Sequence, residues 1–276
     1  AFNIGNIGGA SMGLNIVFGI DTTTAAAISG ILGILLFASP KMGGVLDNTA
    51  KILGTVMLVL IAYVAFSTNP PVAEAVTHAV APTHYPWLAT ITLIGGTVGG
   101  YITFSGGHRL IDAGITGQEH LTDVRRAAFM GMTVDAVVRI LLFLAVLGVV
   151  SMGYVLDPKD PAGSAFLLGA GEIGHKLFGI VFFCAALTSV VGAAYTSVSF
   201  LKTLFKVVER YEKLTIMAFI FISTCILIFI GKPATLLILA GSVNGLILPI
   251  TLAVMLFATH KSEIVGDYKH NKLLYY

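Results

Sequence analysis

Few side chains in this sequence are of a type that does covalent chemistry. Those that stand out are amides, hydroxyls and glycines set inside long apolar runs. Asn3, Asn6, Ser11 and Asn15 fall roughly along one face of the first apolar segment. Such side chains avoid lipid, so they either hold helices together by hydrogen bonds or line a polar path. The densest feature runs from Gly95 to Gly107 (Gly-Gly-Thr-Val-Gly-Gly-Tyr-Ile-Thr-Phe-Ser-Gly-Gly) and holds six glycines in thirteen residues. Each glycine weakens a helix by about 1 kcal/mol relative to alanine. The run around Gly96, Thr97, Gly99, Gly100 and Tyr101 is therefore expected to break and to expose backbone carbonyls. At membrane depth a break is tolerated only where it lines a cavity, and carriers often build their ion site from one. A tight helix crossing packed through glycine is the structural alternative. Asn244, flanked by Gly241 and Gly245 and five residues before Pro249, either presents its amide to such a site or serves packing alone.

Other candidates carry charge. His108-Arg109-Leu110-Ile111-Asp112 follows the glycine run and reads either as a gate or proton relay, or as interfacial charges capping a helix. Asp135 and Arg139 are four apart in the order that favours an ion pair on one helix face. Ionisable residues within a membrane are functional candidates by default, and a self-neutralising structural pair is the competing reading. The hydroxyls of Thr188-Ser189 and Thr196-Ser197 can bond back to the preceding helical turn. His78, His84, His120 and His175 lack ligand spacing with acidic partners and read as loop residues, and Cys184 and Cys225 read as small core residues. No GxSxG, HExxH, P-loop or dinucleotide fingerprint occurs, which argues against an enzyme and against a nucleotide-driven pump.

The elements that must position these groups are membrane helices. Hydrophobic residues make up 56% of the 276 and charged residues 11%, against roughly a quarter charged in soluble chains. The net charge of +2 comes with no basic stripe, so nucleic acid is excluded as a partner. Period-two alternation is absent, which excludes a membrane β-barrel. The fold class is an all-α polytopic membrane protein, with helices expected near 2–20, 24–39, 47–67, 87–106, 129–154, 174–200, 214–231 and 234–258. If eight helices alternate, the segments 40–51, 107–128, 201–213 and the tail share one side and carry twelve of the sixteen basic residues. The opposite side carries Lys159 and Lys232. That bias places both ends of the chain in the cytoplasm of an inner (plasma) membrane and the loop 68–86 outside.

The assembled residues resemble the Nramp family of divalent-metal transporters. Phe2-Asn3-Ile4-Gly5-Asn6 and Leu14-Asn15-Ile16-Val17-Phe18-Gly19-Ile20 are similar to that family's third membrane helix. Leu93-Ile94-Gly95-Gly96-Thr97-Val98 resembles the start of its broken sixth helix, Thr188 to Leu201 its eighth, and Asn244-Gly245-Leu246-Ile247-Leu248-Pro249 its tenth. The resemblance implies a leucine-transporter-like fold of two inverted five-helix repeats in one transmembrane domain over 1–276. Residues 1–67 would be the remainder of the first repeat, 68–86 an extracellular loop, 87–258 the second repeat and 259–276 a cytoplasmic segment. The family's first two helices, with an Asp and an Asn of its metal motif, would be lacking here, and the chain does open at Ala1 without an initiator Met.

The resemblance further implies alternating-access transport of divalent metal as substrate, with no resident cofactor and with Gly96, Gly99, Tyr101 and Asn244 at the metal. Departures matter. The family's sixth-helix motif of methionine and histidine aligns with Gly99-Gly100-Tyr101-Ile102, so the thioether has no counterpart. A soft sulfur favours softer transition metals, and its loss leaves oxygen ligands suited to a hard ion such as Mg²⁺ or Mn²⁺. The family's acidic third-helix positions are Asn3 and Asn6, and a second histidine aligns with Gly106, leaving His108 displaced. Amides do not exchange protons near neutral pH. These changes resemble the Nramp-related magnesium transporters and imply weak or absent proton coupling. An organic-solute carrier on the same scaffold and a non-transporting structural subunit remain the alternatives at this level.

Overall fold

The structure, a computed structural model, describes residues 2–98, 110–111 and 113–266. Nine helices of more than one or two turns occur among the described residues. They are α1 (Phe2–Phe18), α2 (Thr22–Ala38), α3 (Pro40–Ser67), α4 (Val72–Val80), α5 (Trp87–Val98), α6 (Leu121–Ser151), α7 (Pro161–Leu204), α8 (Glu212–Ile230) and α9 (Pro233–Ala258). Local sequence sets their ends. Asp21 caps α2, its carboxylate accepting the Thr24 N–H at 2.9 Å, and Asp160 caps α7 through the Gly163 N–H at 2.9 Å. Pro40, Pro161 and Pro233 occupy first positions where no N–H is needed. Gly231, at φ 67°, closes α8 in the left-handed conformation.

All eight expected helices have a counterpart, with several corrections. The segment 40–51 is helical from Pro40, so Lys51 lies well inside α3 rather than in a loop. Helix α6 begins at Leu121 and carries Arg125 and Arg126, because nothing between 121 and 128 breaks a helix. The expected loop 68–86 contains α4. Helix α7 begins at Pro161, thirteen residues before the expected 174, and is broken inside at Gly171. There φ is 67° and ψ −171°, a combination essentially restricted to glycine. The short arm before the break returns to the core, where Phe166 stacks on Phe178 at 4.5 Å between ring centroids.

Four helices, α6 to α9, are each long and apolar enough to cross a membrane. Helices α1 and α2, 17 residues each, satisfy the same test together and are bent 117° from one another; residues 51–67 of α3 do so with α4 at 101°. Helix α5 covers 12 described residues.

Helices α1 and α7 run through both halves of the core. One cluster joins Ile7 of α1 to Ala26 of α2, Val190, Ala194 and Val198 of α7, and Ile216, Ile220 and Leu227 of α8. The other joins Ile16 of α1 to Ile61 and Val64 of α3, Ala145 and Val149 of α6, and Phe166 and Phe178 of α7. The outer surface is apolar: α9 alone exposes Leu246, Ile250, Val254 and Phe257, a stripe suited to lipid.

Candidate functional site

Helix α5 meets α9 backbone to backbone. A methyl group at Gly95 would strike the carbonyl oxygen of Gly241 and the amide nitrogen of Gly245, and one at Gly245 would strike the carbonyl oxygen of Ile91. Gly241-x-x-x-Gly245 is thus a small-residue seam, and only glycine lets the backbones approach this closely. The hydroxyls of Thr92 and Ser242 bridge the same crossing at 2.6 Å. Gly96, one residue on, faces open space. The helix continues unbroken through Gly95-Gly96-Thr97 to Val98, so Gly95 packs and neither glycine of this first pair breaks the helix. Thr97 is exposed and returns its hydroxyl to the Leu93 carbonyl. Gly99, Gly100, Tyr101, His108 and Asp112, with the expected break itself, lie outside the described residues.

Asn244 is buried at 5% exposure, and its Nδ2 has no hydrogen-bond partner. Pro249 has no N–H, so the Gly245 carbonyl loses its helical donor beside that amide. Asn3 is buried at 2% exposure, and neither Oδ1 nor Nδ2 has a partner. Among the described residues these two amides hold all the buried side-chain polar atoms that lack a partner. Gly5 packs on Leu237 and Gly8 on Pro233, so α1 and α9 run antiparallel and the start of α1 lies beside the first half of α9. Asn3 and Asn244 therefore stand within about 10 Å of one another along the helix axes, at 1.5 Å per residue.

The other polar residues of α1 do not continue that track. Asn6 donates to the Ser189 carbonyl of α7 at 3.2 Å, holding two helices together. Ser11 bonds to the Gly8 carbonyl within its own helix, and Asn15 donates to the Ile20 carbonyl at 2.8 Å. The expected single polar face thus resolves into separate roles. Thr188, Thr196 and Ser197 bond back to the preceding turn. Asp135 and Arg139 form the expected pair, at 2.7 Å and partly exposed. Two histidine readings are corrected: His78 lies in α4 with Glu74 four residues earlier at 3.8 Å, and His175 lies in α7. Both cysteines are free. No group of three or more His, Cys, Asp or Glu that could hold a metal occurs among the described residues.

A cavity of about 780 Å³ opens among the turns that follow α1, precede α7 and join α8 to α9, lined by Asn15, Asp21, Asp157, Lys159, Asp160 and Lys232 among others. Burial raises the Asp160 carboxyl above the ordinary carboxylate range, opposed by the Gly163 N–H and by His175. The Thr24 hydrogen bonds lower that of Asp21. The signal available in sequence was that all these charges sit in short turns on one side of the alternating helices.

The geometry defines a polytopic helical membrane protein whose interior offers amides, hydroxyls and backbone carbonyls. The Nramp family profile, described as natural resistance-associated macrophage protein-like, matches residues 1–276. An uncharacterized membrane protein of Bacillus subtilis, YcsG, is 52% identical over 270 residues, covering 98% of this chain and 67% of its own. An uncharacterized membrane protein of Haemophilus influenzae is also 52% identical over 270 residues, covering 98% of this chain and 68% of its own. The chain belongs to the Nramp family. It is a multi-pass membrane protein with the leucine-transporter-like fold of that family, whose members are divalent-metal transporters rather than enzymes.

Proposed function

We propose that this protein carries a hard divalent cation, Mg²⁺ or Mn²⁺, across the membrane by alternating access with weak or no proton coupling. The reading rests on the two buried, unpartnered amides of Asn3 and Asn244, within about 10 Å of one another along the helix axes. A buried polar group without a partner costs about 1–3 kcal/mol, so two this close along the axes are best explained by a ligand that completes them. An amide can turn to present either its oxygen or its nitrogen, which suits a cation or its bound water. Helix α9 spans 26 residues with Asn244 near its middle, the depth at which carriers of this architecture bind substrate.

Gly96, Gly99 and Tyr101 complete the proposed site, with Thr97, Gly100, His108 and Asp112 along the path or its gate. The oxygen-only ligand set favours hard ions. Asn3 and Asn6, standing where the resemblance expects acids, cannot relay protons. Asp135 and Arg139, a partly exposed mutual pair, are read as pathway residues and not as ion ligands.

The test is ion competition in liposomes. Replacing Gly99 by Met should restore a soft ligand, so Cd²⁺ should inhibit Mg²⁺ or Mn²⁺ uptake at concentrations about tenfold lower than in the wild type, about 1.4 kcal/mol of added affinity. An unchanged competition profile removes Gly99 from the site. Uptake of amino acids with none of metals supports the organic-solute alternative instead.

A further inference from the structure

The stretch between α3 and α5 has the composition of a loop but the geometry of a surface anchor. Helix α4 turns 101° away from residues 51–67 of α3, so where α3 crosses the bilayer α4 lies nearly in the membrane plane. Val72, Val76 and Val80 recur every fourth residue on one side and are 49%, 59% and 83% exposed. Glu74, Thr77 and His78 occupy the other side, the first and last paired at 3.8 Å. Between α4 and the end of α6 lies a cavity of about 450 Å³, bounded by Pro71, Glu74 and His78 and by Phe143 and Val150, and Val72 borders a smaller one beside Leu141 and Leu144 of α6, so Val76 and Val80 are the valines that point away from the helix pack. Beyond α4, the rings of Tyr85 and Trp87 lie 4.7 Å apart, tilted 34° from one another, and stay exposed. Paired amphipathic aromatics of this kind belong at headgroup depth. No Lys or Arg occurs between Lys51 and Arg109, so attraction to anionic lipid plays no part.

We propose that residues 72–87 are an in-plane membrane anchor. Val76 and Val80 enter the acyl boundary, Tyr85 and Trp87 sit among the headgroups, Thr77 faces water, and Glu74 and His78 face the cavity beside α6. The occupant of the exposed valine face is the lipid surface, continuous with the bilayer around α6 to α9. The anchor holds the start of α5, the helix whose Gly95 packs into the glycine seam of α9.

Trp87 is the sole tryptophan, so the unmodified protein in phosphatidylcholine vesicles reports on itself. Lipids brominated near the headgroup should quench its fluorescence more than lipids brominated deep in the chain, and aqueous iodide should quench weakly. In a Cys184→Ala, Cys225→Ala background, nitroxides at Val76→Cys and Thr77→Cys test α4. The Val76 label should collide several-fold more with oxygen than with a water-soluble nickel chelate, and the Thr77 label should show the reverse. Replacing phosphatidylcholine by phosphatidylglycerol should change neither ratio. Strong iodide quenching of Trp87, or nickel access at both labels, overturns the proposal in favour of a solvated loop. Protection of both labels from both reagents overturns it in favour of a protein partner.

Discussion

Asn244 separates a structural role from a transport role. Its Nδ2 is buried without a partner, so Asn244→Leu should leave the thermal stability of the detergent-solubilised protein unchanged or raise it by about 1 kcal/mol. The same change should lower metal uptake about tenfold or more, the loss expected when roughly 1.4 kcal/mol of ion binding disappears. Reduced stability with normal uptake would place the amide in packing. Asp160 offers a pH test. Burial raises its folded carboxyl above the unfolded value, so the stability it supplies is full below the ordinary carboxylate range and is lost as pH rises through the raised folded value. Asp160→Asn keeps an acceptor for the Gly163 N–H and should remove that loss, flattening the unfolding temperature from acidic to neutral pH; an unchanged slope would mean other groups set it. The sequence singled out Asn244 by its glycine and proline neighbours. It grouped Asn3, Asn6, Ser11 and Asn15 on one face, but only three-dimensional packing decides that Asn6 meets the Ser189 carbonyl while the Asn3 amide is buried without a hydrogen-bond partner.

At the scale of elements, the α5–α9 crossing makes opposite predictions for adjacent glycines. Gly95→Ala drives a methyl into the backbone of Gly241 and Gly245, and overpacking of that kind costs about 1–3 kcal/mol or more. Gly96→Ala enters open space inside a helix and should gain about 0.5–1 kcal/mol. Thermal unfolding of the two variants should therefore shift in opposite directions, and equal shifts would contradict the crossing. Both readings of the glycine run were legible in composition, but the choice between them was not, because a glycine that packs and a glycine that breaks a helix look alike until a neighbour is placed against it. Helix starts were harder to read than helix existence. Helix α6 begins eight residues before the expected start because Leu121 to Ala128 is polar but free of breakers. Helix α4 was hidden by prolines on both sides of a nine-residue segment too short to register as a span.

For the whole molecule, charge scarcity and its spacing were enough to define a polytopic helical membrane protein, because lipid exposure excludes charge residue by residue. The turns of 117° and 101° between consecutive helices were not encoded in that count; they depend on Gly19-Ile20-Asp21 and Asn69-Pro70-Pro71, whose apolar flanks read equally well as straight spans. The vestibule of Asp21, Asp157 and Asp160 was likewise invisible until three separate turns came together. What the whole fold is proposed to do is carry a divalent ion past two amides that do not ionise near neutral pH. That claim meets its most direct test in liposomes containing the protein, an internal metal indicator and an internal pH dye, with Mg²⁺ or Mn²⁺ added outside. The account predicts metal entry with no accompanying acidification of the lumen, whereas acidification at a fixed ratio of protons to metal would contradict it.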